Sequence, residues 1–196
     1  MREKDNNKAI AIRKCAIKMI VDEGFAGISI RKVAEKANIC PASIYTYFRD
    51  KQDMLDKLYL EIFNETNRAS IQMFSPEMSL EKGLKTLWLN RFRYSIENPY
   101  EAMFLDQFIN SPLVHSVTSE ENHLHKDMMK AFYYHAIEHN ELKKIPVKVY
   151  WSIAFYPLFQ MIKFAICKGA HPATNEDVNE GMLLDCLSII IKGLRP

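Results

Sequence analysis

Residues 29–48, Ser-Ile-Arg-Lys-Val-Ala-Glu-Lys-Ala-Asn-Ile-Cys-Pro-Ala-Ser-Ile-Tyr-Thr-Tyr-Phe, leave room for two short helices with a tight turn between them. Ser29 suits an N-cap, because its hydroxyl can accept an amide proton that the first helical turn leaves unpaired. Ile30, Val33, Ala34 and Ala37 then share one face of a helix over 30–37. Asn38 tolerates the left-handed backbone that a sharp turn demands. Pro41 suits the first turn of the next helix, where its missing N–H costs nothing. Ile39 anchors the turn, and Ile44 and Phe48, four residues apart, put one face of a helix over 41–48 into a core. Two short helices joined by so brief a turn form a helix-turn-helix.

The flanking sequence also has helical spacing. Ile12, Ala16, Met19 and Ile20 mark a first helix over 4–23, with Gly24 as its stop. Asp50 caps a long fourth helix over 51–73 that carries Leu55, Leu58, Tyr59, Ile62 and Phe63 on one side. Further helices are predicted over 80–97 and 100–109, from a Thr118-x-x-Glu121 capping box to 140, from Pro146 to 169, and from a Thr174-Asn175-Glu176-Asp177 cap to 193. Glycine is scarce at six residues, and no alternating strand pattern occurs. The expected fold is all-α with about nine helices. Three helices over 1–50 precede a longer helical domain over 51–196, with the boundary near Lys51.

The outward face of the helix-turn-helix carries Ala42, Ser43, Tyr45, Thr46 and Tyr47. Ala42 is small and permits close approach to a major groove. Ser43 and Thr46 carry hydroxyls that can read base edges, and the Thr46 methyl can meet a thymine methyl. Tyr45 and Tyr47 can donate to phosphates, while Arg31, Arg49 and Lys51 flank them with positive charge. Free amides at the start of the second helix also suit phosphate. Charge is distributed accordingly: residues 1–57 carry 12 Lys or Arg against 8 Asp or Glu, and the remainder 14 against 16. A basic amino-terminal segment on a mildly acidic body points to a polyanionic partner at that end.

Gly24-Phe25, then Ser29-Ile30-Arg31-x-Val33-Ala34-x-x-Ala37, then Ile44-Tyr45-x-Tyr47-Phe48-x-x-Lys51-x-x-Leu55 resembles the DNA-binding region of the TetR (AcrR-like) transcriptional regulators. The resemblance implies that Arg31 approaches DNA from the first helix of the motif. It implies that Pro41, Ala42 and Ser43 face the bases, with Tyr45 and Lys51 on the backbone. With the reading of the residues themselves, the expected DNA-binding set is Ser29, Arg31, Pro41, Ala42, Ser43, Tyr45, Thr46, Tyr47 and Lys51. Two positions depart from the family pattern. Asn38 stands where glycine is usual, and Cys40 where serine is common, which removes a hydroxyl beside the recognition helix.

The resemblance further implies a repressor released from a palindromic operator by a small, largely apolar effector, and a homodimer built on the last two helices. Residues 149–167 and 182–191 fit that dimer, being apolar nearly all round, and such helices must be buried on all sides. A monomer core is the alternative. Pro157, Gln160 and Lys163 interrupt residues 149–167, so a buried helix is expected there and no membrane span. The amino-terminal residues are polar, without an apolar signal core. Cys15, Cys40, Cys167 and Cys186 are widely spaced without a C-x-x-C, which suits reduced thiols in a cytoplasmic protein. Nothing near Cys40 in sequence activates its thiol, so it reads as passive rather than as a redox switch.

The resemblance places an effector pocket among the fourth to eighth helices. Candidate lining residues are Tyr59, Phe63, Trp88, Phe92, Phe104, Phe108, Phe132, His135, Trp151 and Phe155, although aromatic stripes also build cores. His135-Ala136-Ile137-Glu138-His139 spells the H-x-x-E-H pattern of zinc hydrolases. His135 and His139 fall on the stripe of Leu124, Met128 and Phe132 and so are expected to face inward. An i, i+4 histidine pair needs further ligands to hold a metal. A small metal-dependent hydrolase is thus the rival to the regulator, and a regulator that answers a protein instead of a ligand is a third reading. No G-x-S-x-G, Walker loop or dinucleotide fingerprint occurs, so neither catalytic residues, cofactor nor metal are expected.

Overall fold

The computed structural model describes residues 2–116, 123–167 and 177–196. Among these residues the chain is all-α: α1 (Arg2–Gly27), α2 (Ile30–Lys36), α3 (Pro41–Ile44), α4 (Lys51–Ser70), α5 (Leu80–Glu97), α6 (Pro99–Ile109), α7 (His123–Glu138), α8 (Val147–Ala154), α9 (Tyr156–Ile166) and α10 (Glu180–Leu194), with a 3₁₀ turn over Pro112–Ser116. The predicted caps at Thr118 and Glu121 and at 174–176 lie outside the described residues. Asn179 caps α10 instead, its side-chain oxygen accepting from the Met182 amide at 3.1 Å. The chain packs as two compact units, Met1–Phe63 with Tyr100–Ser119, and Asn64–Pro99 with Glu120–Pro196.

The first unit has its own core. The predicted stripe of Ile12, Ala16, Met19 and Ile20 is buried on α1, and meets Val33 and Ala34 of α2, Ile44 of α3, Leu55, Leu58 and Ile62 of α4, and Phe104 and Phe108 of α6. Gly24 breaks α1 with φ 75° and ψ 173°, a conformation that a Cβ would strain. The chain then turns Phe25 edge-on to Phe104 and Phe108, with ring centroids 6.4 and 5.8 Å away.

The second unit buries a larger cluster that includes Leu84, Leu87 and Trp88 of α5, Phe132 and Ala136 of α7, Tyr150 of α8, Leu158 of α9 and Leu183 and Leu187 of α10. The single helix expected from Pro146 to 169 is two helices, broken at Phe155 (φ −125°). Pro157 is the reason, since it has no N–H to give the preceding turn and its ring crowds that turn's carbonyl. The Trp88 indole N–H donates to the Ala154 carbonyl at 2.8 Å, satisfying an acceptor that the break exposes. Val147–Ile166 has the length and apolar composition of a membrane span. The break divides it into pieces of 8 and 11 residues, each short of the roughly 20 residues a helix needs to cross a bilayer.

Gly83 sets how closely α5 and α7 approach. A Cβ there would lie 2.4 Å from the ring of Phe132, which is fully buried and cannot swing away. Helix propensity favours alanine over glycine by about 1 kcal/mol, whereas overpacking costs about 1–3 kcal/mol. Gly83→Ala is therefore expected to lower the melting temperature. An unchanged or raised melting temperature would show that the contact yields.

Candidate nucleic-acid interface

Ser29 caps α2 as its type predicts, accepting from the Lys32 amide at 3.3 Å. Asn38 takes the left-handed turn at φ 54°, so the residue that replaces the usual glycine meets the same backbone demand. Pro41 opens α3. The helix predicted over 41–48 ends at Ile44, and the chain continues as a tighter turn. Thr46 N–H donates to the Ser43 carbonyl at 3.3 Å and Tyr47 N–H to the Ile44 carbonyl at 2.9 Å, both three residues back. At three residues per turn Tyr47 eclipses Ile44. Tyr47 is accordingly half-buried against the first core rather than pointing fully outward, while Tyr45 is 59% exposed.

The remaining outward residues have separate roles. Pro41 and Ala42 are exposed, and Ser43 is half-buried. The Thr46 hydroxyl donates to the Ser43 carbonyl at 2.7 Å, so toward a groove it offers its methyl and an acceptor lone pair. Lys32 donates to the Gly27 carbonyl and Lys36 to Glu23, each at 2.8 Å, so both turn back toward the end of α1. Lys51 is half-buried and donates to the Phe25 carbonyl at 2.7 Å, keeping two ammonium protons for another acceptor. Arg31 is exposed and makes no ion pair among the described residues.

A feature that the sequence reading missed holds this surface in place. Asp53, 8% exposed in α4, accepts from the Arg49 amide at 2.9 Å, the Arg49 guanidinium at 3.1 Å and Lys57 at 2.9 Å. Lys57 also donates to the Tyr47 carbonyl at 3.0 Å. Asp50 caps α4 through the Asp53 amide at 2.9 Å, as expected. The Arg49-x-x-x-Asp53-x-x-x-Lys57 spacing, four residues from the entry of α4 and four along it, was the available signal.

Comparison with known proteins agrees with this geometry. The family model described as "Bacterial regulatory proteins, tetR family" matches residues 12–58. The chain carries a TetR-family amino-terminal domain. An uncharacterized HTH-type transcriptional regulator of Haemophilus influenzae is 24% identical over 112 residues, a match spanning 57% of this chain and 60% of that protein's length. A TetR family transcription regulator from Marinobacter aquaeolei superimposes with a TM-score of 0.80 at 22% identity, over 100% of this chain and 99% of that one. The transcriptional regulator FadR from Bacillus subtilis, crystallised with stearoyl-CoA, superimposes with a TM-score of 0.70 at 15% identity, over 95% and 100%. The all-helical TetR fold thus extends along the whole chain.

The aromatic residues predicted to line an effector pocket divide between the two units. Tyr59, Phe63, Phe104 and Phe108 pack in the first, where Tyr59 stacks on Phe108 at 4.3 Å and on Phe63 at 5.3 Å. Trp88, Phe92, Phe132, Trp151 and Phe155 pack in the second. His135 is half-buried there, its Nδ1 buried without a hydrogen-bond partner. His139, expected to face inward beside it, is exposed. Its ring stacks on His135 at 4.0 Å, and its Nδ1 lies 2.9 Å from the His135 carbonyl, because α7 ends at Glu138 and the chain turns away. Glu138 is exposed as well. Among the described residues no three of His, Cys, Asp and Glu come together as metal ligands, so the hydrolase reading gains no support.

Lys57 first, then the Arg49 amide, hold the Asp53 carboxyl at about 2, below its ordinary 3.8. The folded chain therefore favours the charged form. That stabilisation is complete above the unfolded value, and is lost as pH falls through about 4 toward about 2. Urea midpoints measured across this window should fall more steeply for the wild type than for Asp53→Asn, which should start lower at neutral pH. Parallel curves would remove Asp53 from the account.

Proposed function

We propose that this TetR-type transcriptional regulator is a cytoplasmic repressor that binds an inverted-repeat operator as a homodimer and leaves it when a small, largely apolar effector binds. Residues 1–50 read DNA and residues 51–196 sense the effector and dimerise. The observation that carries the DNA-binding reading is that Arg31, Ala42 and Tyr45 are all exposed on one helix-turn-helix, with Arg31 in no ion pair among the described residues while the other motif cations are engaged within the fold. An arginine free of internal partners is available to a phosphate or a guanine edge.

Exposed apolar side chains support the dimer. Val149, Ile153 and Tyr156 of α8 and α9, with Ile189 of α10, stand in solvent in the single chain, Tyr156 at 68% and Ile189 at 70%. Pairing two copies through these helices would bury that surface. Two recognition segments on one duplex would then multiply a modest half-site affinity. The apolar acyl chain of the ligand bound to the Bacillus subtilis relative supports an apolar effector here. Helix α4 supports coupling, because residues 51–63 belong to the first unit and residues 64–70 to the second. An effector acts through its different affinity for the DNA-bound and released arrangements.

The test is fluorescence anisotropy with an inverted-repeat fragment from upstream of the coding region. Arg31→Ala and Tyr45→Ala should each weaken binding roughly tenfold, and Arg31→Ala should reduce the salt slope by about one if the arginine contacts phosphate. Binding indifferent to salt and to both substitutions would show that DNA is not read by this surface.

A further inference from the structure

Helix α5 turns a stripe of residues inward: Leu80, Leu84, Leu87 and Trp88, ending at Ser95. Arg91 falls on that stripe, three residues after Trp88 and four before Ser95. A charge at such a position needs a partner. Arg91 has little: its Nη1 donates to Asn67 Oδ1 on α4 at 3.4 Å, and its guanidinium lies 5.5 Å from the centre of the Phe159 ring on α9. Among the described residues it has no ion pair with a carboxylate. Glu65, the acid on the adjoining turn of α4, is engaged by the Tyr94 hydroxyl at 3.5 Å.

A guanidinium carries five N–H donors, so one long hydrogen bond and one ring leave most of them unused. Desolvation pushes Arg91 down to about 10. His125 of α7 is near enough to be affected by it. Burial first, and then the Arg91 charge, hold the imidazole down at about 4, so it is neutral at physiological pH. The group therefore has one positive charge, one neutral imidazole, one carboxamide and the Tyr94 phenol, whose charge interaction also reaches Arg91. Arg91 is half-buried, not sealed within the core.

We propose that Arg91, with Asn67 and His125 beside it, receives the carboxylate of an amphipathic organic acid, which is the effector of this regulator. The inference rests on the ligand-controlled reading above and adds the chemical class. A planar guanidinium fork matches a carboxylate by two parallel hydrogen bonds. One positive charge balances a monoanion, whereas a phosphate monoester, near −2 at neutral pH, would leave negative charge buried. Phe159, stacked on the guanidinium, supplies an apolar wall for the body of the acid.

The experiment uses the full chain and a series of saturated carboxylates from butanoate to hexadecanoate, with the matching alcohols and alkyl phosphates. Calorimetry reads affinity, melting reads stability, and anisotropy reads release from DNA. Carboxylates of one length range should bind at least roughly tenfold tighter than the matching alcohols, and should release DNA. Arg91→Met should erase that preference while melting no lower than the wild type without ligand, because it removes an unpaired charge of similar volume. Arg91→Lys should keep part of the preference, and serves as the test should Arg91→Met fail to fold. Acids binding no better than alcohols, phosphates binding more tightly than acids, or a preference that survives Arg91→Met would each overturn the proposal. Unliganded protein that binds DNA but discriminates no acid defeats this inference alone. Absence of DNA binding defeats the regulator reading itself.

Discussion

The first unit depends on what surrounds the Asp53 carboxylate. The recognition segment is short: α3 has only four residues, and the following turn is closed by bonds three residues back at Thr46 and Tyr47 and four back at Phe48. Such a segment has little helical stability of its own. Asp53 binds the backbone and side chain of Arg49, while Lys57 bridges from the same carboxylate to the Tyr47 carbonyl. Lys51 ties the start of α4 to the Phe25 carbonyl, where Gly24 has released the chain from α1. The exposed face of Ala42 and Tyr45 is thus fixed by polar contacts behind it as well as by Ile44 in the core. A surface ordered before it binds loses less freedom on binding, and these contacts hold this one in place.

Much of this was legible from residue type and spacing. Ser29, Asn38 and Pro41 each specify a local backbone state, and each takes it. The core faces followed from apolar periodicity, from Ile12 to Ile20 and from Leu55 to Ile62. What failed depended on geometry that periodicity does not carry. Tyr47 is half-buried because the turn after Ile44 has three residues per turn rather than 3.6. Residues 146–167 are two helices because Pro157 removes a donor from an otherwise uniform apolar run. His139 is exposed because α7 stops one residue before it. The aromatic residues formed one list in sequence, and only the tertiary fold divides them between two cores.

Arg91 shows the opposite case, a signal present in the sequence and passed over. The stripe that buries Leu84, Leu87 and Trp88 reaches Arg91 one turn later, and an arginine on an apolar stripe contradicts its neighbours. Local rules of sequence are broken most often where function requires it. The Asp53 and Arg91 groups are alike in chemistry and different in completion. Asp53 has its cations within the fold, whereas Arg91 has no anion among the described residues. The first arrangement builds a fixed surface, and the second leaves a charge to be met from outside.

The central claim is that the surface of Arg31, Ala42 and Tyr45 reads a specific duplex in pairs. Its most direct test is selection of duplex DNA from a random library by the full-length protein, followed by sequencing of the retained fragments. The account predicts enrichment of an inverted repeat whose half-site centres lie about 34–36 Å apart, or a whole number of turns further. Retention of fragments with no shared sequence, or of a single half-site without its inverted partner, would contradict it.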